Sequence, residues 1–170
     1  RFDDYTLPIP IPKQVTNFLC FKKFKYWKGW APYNEMTPNQ IEQMIFFCKE
    51  NNLKFSLAIT AGWVDKNSNI IPFNKKFPTQ LNIIKEGIKE GVFEILSHGL
   101  THCIVGKHLP RKFSSNRKYH REFYDFRPEE IIEKGVKESK QILEDSFENK
   151  VDILVPPGNV FGNKTIEACI

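Results

Sequence analysis

The chain repeats one pattern. A short apolar, β-branched run is followed by a loop, and the loop by an apolar stripe at helical spacing. The strand-like runs are a stub ending at Phe2, residues 53–60 (LKFSLAIT), 92–96 and 151–155. Strands that alternate with helices of this length pair in parallel through βαβ crossovers. A parallel sheet of that kind is covered on both faces or closes into a barrel.

The helices carry their own signals. Thr37-Pro38-Asn39-Gln40 offers a cap, a proline suited to the first helical position and the glutamine of a capping box. Ile41, Met44, Ile45 and Cys48 then give an inward face, and Asn51-Asn52 a stop. Residues 79–90 predict a second helix with Leu81, Ile84 and Ile88 inward and Gly91 beyond its end. Pro128 opens a third, whose Ile131, Ile132, Val136, Ile142 and Leu143 face a core and which Asn149 can end. Residues 61–78 and 97–126 read as loops, and 165–170 as the first turn of another helix. Residues 5–36, rich in proline and aromatics, have no clear periodicity, a length that usually signals function or small elements.

At 170 residues the chain suits one domain or a truncated piece of a larger one. A hydrophobic share of 41%, with 15 Phe, is enough for a core and excludes disordered, collagen-like and disulfide-scaffold classes. The net charge of +5 is local. Residues 103–127 hold seven basic side chains and two acids, a surplus that equals the charge of the whole chain. Apolar runs are too short for a bilayer-spanning helix. Cys20, Cys48, Cys103 and Cys169 lack C-x-x-C spacing and read as small buried hydrophobes, which favours a reducing, cytoplasmic setting. Both ends read as cut.

Three groups of polar or turn residues stand just past strand ends: Asp3-Asp4, His98 with His102, and Pro157-Gly158-Asn159. In parallel α/β folds that edge is where sites are built. Two imidazoles at i, i+4 reach one side of the chain if the segment turns helically, and can share a cation. Two adjacent acids after a strand also suit a turn or a cap. Two His and one carboxylate form a catalytic zinc set with a fourth position open for water.

Taken in order, F-D-D at one strand end, S-H-x-x-x-H at the third and P-P-G at the fourth resemble the polysaccharide deacetylase group. This is the NodB-homology family, carbohydrate esterase family 4. The resemblance implies a distorted (β/α) barrel, here incomplete at about four βα units, with residues 1–170 forming a single domain truncated at both ends. It implies a divalent metal, Zn2+ foremost, held by Asp4, His98 and His102, with Asp3 as general base. Backbone N–H groups around Gly158 would face a tetrahedral oxyanion. The implied reaction removes acetyl or similar acyl groups from an amino-sugar or acidic glycan. Arg1, Tyr5 and Val155 depart from the family pattern, where Thr, Gly and Arg stand. The family's acid, a His on a later strand, is expected beyond Ile170, with His108 and His120 as substitutes.

Tyr5, Trp27, Trp30, Trp63, Pro157, Asn159, Lys107 and Arg111 are the expected substrate contacts. The aromatics suit the apolar faces of sugar rings, and the basic segment suits a phosphate or carboxylate on the glycan. Phe18, Phe21 and Phe24 read as core, and a solvated charged loop is the plain alternative for 103–127. A catalytically inactive or non-sugar relative that binds an anionic carbohydrate or nucleotide-sugar through that loop is the competing function. Tyr119, Phe123, Tyr124 and Phe126 among the basic residues raise single-stranded nucleic acid. No nucleic-acid motif supports that reading.

Overall fold

The structure is a computed structural model that describes residues 36–65, 67–105 and 122–170. Asp3, Asp4, Tyr5, Trp27, Trp30, Lys107, Arg111, His108, His120 and Cys20 lie outside the described residues, as do most of the basic segment and the strand stub at Phe2.

Helix α1 (Pro38–Glu50) starts as its sequence requires. The Thr37 side chain accepts from the Gln40 N–H, and the Gln40 side chain answers the Thr37 N–H at 2.9 Å. Ile41 and Cys48 are buried and Asn51 caps the far end. Strand β1 (Phe55–Ile59) follows.

Residues 61–78, expected as a loop, instead form a small antiparallel hairpin and a short helix. These are β2 (Gly62–Val64), β3 (Ile70–Pro72) and α2 (Phe73–Lys76). The hairpin's signal is local but is not hydrophobic. Asp65 accepts from the N–H groups of Asn67 and Asn69 and turns the chain between the strands.

Helix α3 (Pro78–Lys89) returns the chain to β4 (Phe93–Ser97), which pairs in parallel with β1 from Phe55↔Phe93 to Ile59↔Ser97. Gly87 lies on the inward face of α3, where a Cβ would stand 2.3 Å from the Phe93 ring. Helix α4 (Glu129–Phe147) crosses back, and α5 (Asn163–Glu167) completes the described elements.

The inward stripe of α4 is Ile132, Gly135, Ser139, Leu143, Ser146 and Phe147, whereas Ile131 is 44% exposed. One step on a helix is a rotation of about 100°, so Ile131 turns out when Ile132 turns in. Small residues fill the rest of the stripe because the neighbouring chain comes close there. Residues 151–155, expected as a strand, make one parallel bridge, Ser97↔Leu154. At their start the Val151 N–H donates to the Glu144 side chain and not to a strand partner. Pro156 and Pro157 remove the donors beyond.

Residues from α1, α3, β4 and α4 share a core of Ile41, Cys48, Ile84, Phe93, Ile95 and Leu143 with their neighbours. Cys48 and Cys103 are buried as expected, but Cys169 is exposed. Among the described residues no helix is long and apolar enough to cross a membrane. They form an α/β layer that does not close into a barrel.

Candidate functional site

His98 and His102 follow β4 directly, and their loop is fastened from several sides. On one side the β1–β4 ladder continues past the strand ends. The His98 N–H donates to the Ile59 carbonyl, the Ala61 N–H to the Gly99 carbonyl, and the Gly62 N–H to the Leu100 carbonyl. The loop is not helical, contrary to the simplest reading of i, i+4 spacing. It turns through left-handed backbone at Gly99 (φ 79°) and His102 (φ 65°). For a histidine that conformation costs on the order of 1 kcal/mol, so other contacts must hold it.

His98 is fully buried, and its Nδ1 lies 2.5 Å from the Val155 carbonyl oxygen. A carbonyl only accepts, so in the neutral ring Nδ1 carries the proton and Nε2 the lone pair. This is the tautomer of an imidazole that ligates through Nε2, with a backbone carbonyl orienting it from behind. Val155, which stands where the resembled family has Arg, therefore contributes through its backbone. Its own N–H donates to the Ser97 carbonyl at 2.8 Å.

The His98 and His102 ring centroids are 5.3 Å apart at an interplanar angle of 55°. Two imidazoles bound tetrahedrally to one Zn2+ at about 2.05 Å would have centroids about 5.2 Å apart. The observed separation is close to that spacing. Among the described residues no group of three His, Cys, Asp or Glu gathers for a metal. The expected carboxylate, Asp4, lies outside them.

The loop's other fastening is Glu122. Its carboxyl is buried and accepts from the N–H groups of Leu100 (3.1 Å), Thr101 (3.0 Å) and His102 (2.9 Å). Successive N–H groups around a left-handed residue form a concavity for an anion, and here the chain fills it with its own side chain. Burial pushes the Glu122 carboxyl up to about 7, against the pull of these three donors and of the Arg127 cation. Two glycines make room: a Cβ on Gly99 would lie 2.5 Å from one carboxyl oxygen, and on Gly135 3.2 Å from the other. Glu122 itself is anchored, since Arg127 Nη1 donates to its carbonyl at 2.9 Å and the adjacent Phe123 is fully buried. Sequence reasoning missed this residue. One acid beside many bases reads as charge balance, and nothing local marks it.

The Pro156-Pro157-Gly158-Asn159 segment is a single 3-10 turn with Gly158 at φ 64° and Asn159 at φ 55°. Pro157 is buried, while Gly158 and Asn159 are exposed. The Asn159 and Val160 N–H groups donate within the turn, to the Pro156 and Pro157 carbonyls. Trp63, on the hairpin, is half-buried, meets Phe77 edge-on at 6.0 Å, and has Lys76 Nζ 5.2 Å over its ring. The structure thus brings together His98, His102, the Val155 carbonyl and Glu122.

The sequence model of glycosyl hydrolase family 57 matches residues 4–169. The chain belongs to glycosyl hydrolase family 57. No curated protein matches it. Among solved structures, this family 57 chain is similar to a CE4 family pseudoenzyme from Bacillus anthracis. The identity is 12% and the TM-score 0.51, over 79% of this chain and 36% of that one. It is similar also to a mutant of that pseudoenzyme with restored enzymatic activity, at 12% identity and TM-score 0.51, over 78% and 37%. At such identity the likeness establishes the fold, the NodB-type (β/α) architecture expected from the motifs. This chain spans a little over a third of the length of those structures, 36% and 37%. The family is nevertheless a different one from the deacetylases that the motifs resemble. The family match thus shows a member of a glycosyl hydrolase family, and the solved structures add the fold alone.

Proposed function

We propose that the protein is a metal-dependent glycan deacylase, removing acetyl or similar groups from an amino-sugar or acidic glycan. The observation that carries this reading is the His98 side chain. Its Nδ1 is committed to the Val155 carbonyl, and its ring lies 5.3 Å from that of His102. In this reading His98, His102 and Asp4 hold a divalent cation, Zn2+ foremost. Such a cation, when bound, polarises a carbonyl and lowers the pKa of its water to about 7.

Asp3 is assigned the proton of the attacking water. With the Asn159 and Val160 N–H groups engaged inside their turn, the Gly158 N–H is the donor assigned to the tetrahedral oxyanion. Tyr5, Trp27, Trp30, Trp63, Pro157 and Asn159 are assigned to the sugar. The segment 103–127, through Lys107 and Arg111, is assigned to an anionic group on it.

Elemental analysis of the purified protein tests the cation, with one divalent ion per chain expected in the wild type and loss in His98→Ala. Acetate release from acetylated amino-sugars tests the reaction. Asp3→Asn should lower kcat by about 10²–10⁴-fold with the metal retained. A wild type that binds no divalent ion sinks the reading. Bound metal and bound glycan without acetate release would instead indicate an inactive binder.

The family match favours a second reading, hydrolysis of a glycosidic bond. That chemistry needs two carboxyl groups about 5–9.5 Å apart. Release of reducing sugar without acetate, insensitive to chelators, would decide for it.

A further inference from the structure

Glu122 sits 20 residues beyond His102 in the chain, at the far end of the basic segment, yet its side chain lies beneath the histidine loop. We propose that Glu122 is a positioning residue: its carboxyl gathers the N–H groups of Leu100, Thr101 and His102 and so sets the left-handed backbone that brings the His102 ring beside His98. The inference rests on the reading of those two histidines as a ligand pair.

Three features argue for positioning. His102 adopts a backbone conformation that L-residues avoid, and the N–H at that residue is one of the three held. Both carboxyl oxygens are taken by backbone donors of the loop. Glycines at 99 and 135 leave space on both sides of it that a methyl group would fill. Glu122 is also held from behind through Arg127, while Lys164 Nζ fastens the Asp125 and Arg127 carbonyls at 3.1 Å each.

The test uses the full chain and zinc as the probe. Glu122→Gln keeps one acceptor oxygen, enough for the Thr101 and His102 N–H groups that share Oε2, while its amide NH2 opposes the Leu100 N–H. Glu122→Ala keeps none. Ile132→Val, buried on α4, measures what destabilisation alone does. Zinc dissociation constants are read by chelator competition, the ligand field by Co2+ absorption, and the loop by amide exchange at 100–102 and the His102 ring resonances.

The expected result is graded, with zinc affinity down about tenfold in Glu122→Gln and about 100-fold in Glu122→Ala. A shifted Co2+ spectrum and faster exchange at 100–102 should accompany it, with Ile132→Val as wild type. If the alanine variant does not fold, the glutamine variant carries the test. Unchanged affinity and unchanged protection in a Glu122 variant overturn the proposal, as does an equal loss in Ile132→Val. If the wild type takes up no zinc, the ligand-pair reading fails by itself. Glu122 is then judged on exchange and the His102 resonances, where a change supports its role and no change overturns it.

Discussion

Gly99 and Gly91 are a matched pair. Both have left-handed backbone, at φ 79° and 70°, so an added Cβ meets the same intrinsic penalty at each, about 1–2 kcal/mol. Their surroundings differ. Around Gly91 nothing lies within 4 Å of a built Cβ, whereas at Gly99 it would stand 2.5 Å from a Glu122 oxygen and 3.0 Å from the buried Phe123 ring. Neither neighbour yields easily, because the carboxyl is held by three N–H groups and the ring is core.

Displacing the carboxyl from one donor costs about 1.5–3 kcal/mol. Gly99→Ala should therefore lose about 3–5 kcal/mol in all, against about 1–2 for Gly91→Ala. In urea, with a slope of about 2 kcal/mol per M, the midpoint should fall by about 2 M for Gly99→Ala and by less than about 1 M for Gly91→Ala. Adding Glu122→Ala to Gly99→Ala removes the obstacle, so the double variant should be more stable than the sum of the singles predicts, by about 1 kcal/mol or more. Equal midpoints for the two glycine variants, or strict additivity in the double, would refute the tight clasp on which the site's geometry depends.

Gly87→Ala should also reverse the usual gain of about 1 kcal/mol for that change in a helix. Its Cβ would lie 2.3 Å from the buried Phe93 ring, so overpacking should destabilise by about 1–3 kcal/mol, read by thermal melting. A variant more stable than wild type would count against the packing of α3 on β4. For pH, the folded Glu122 carboxyl is pushed up to about 7 by burial, from an ordinary 4.5. The native state then binds that proton more tightly than the unfolded chain does. Its contribution is full below pH about 4.5 and is lost as pH rises through about 7, on the order of 3 kcal/mol. Glu122→Gln should flatten this fall in a denaturation series from pH 4.5 to 8. A wild-type stability that climbs relative to the variant across that window would contradict it.

Much of the framework could be read in advance because its signals are short-range. The capping box of α1, the glycine stop after α3 and the apolar stripes of both helices act within a few residues, and each helix formed within a residue of where it was expected. Strand β4 and the placement of His98 at its end followed from the same logic. Where the expectation failed, the deciding partner was distant or was not apolar. Ile131 gave way to Gly135 and Ser139 because space beside Glu122 and a hydrogen bond to Ser97 matter on that face, and hydrophobic periodicity does not register either. Residues 151–155 make a single bridge, at Ser97, and the Val151 N–H goes to the Glu144 side chain.

The chain's order of residues thus determined a parallel α/β framework with histidines at a strand end, since propensity and periodicity need only near neighbours. Tertiary structure alone decided that His98 holds its proton on Nδ1 and that Glu122 holds the loop. Those bonds join residues 57 and 20 positions apart, and they exist only after the crossovers have folded the chain back on itself.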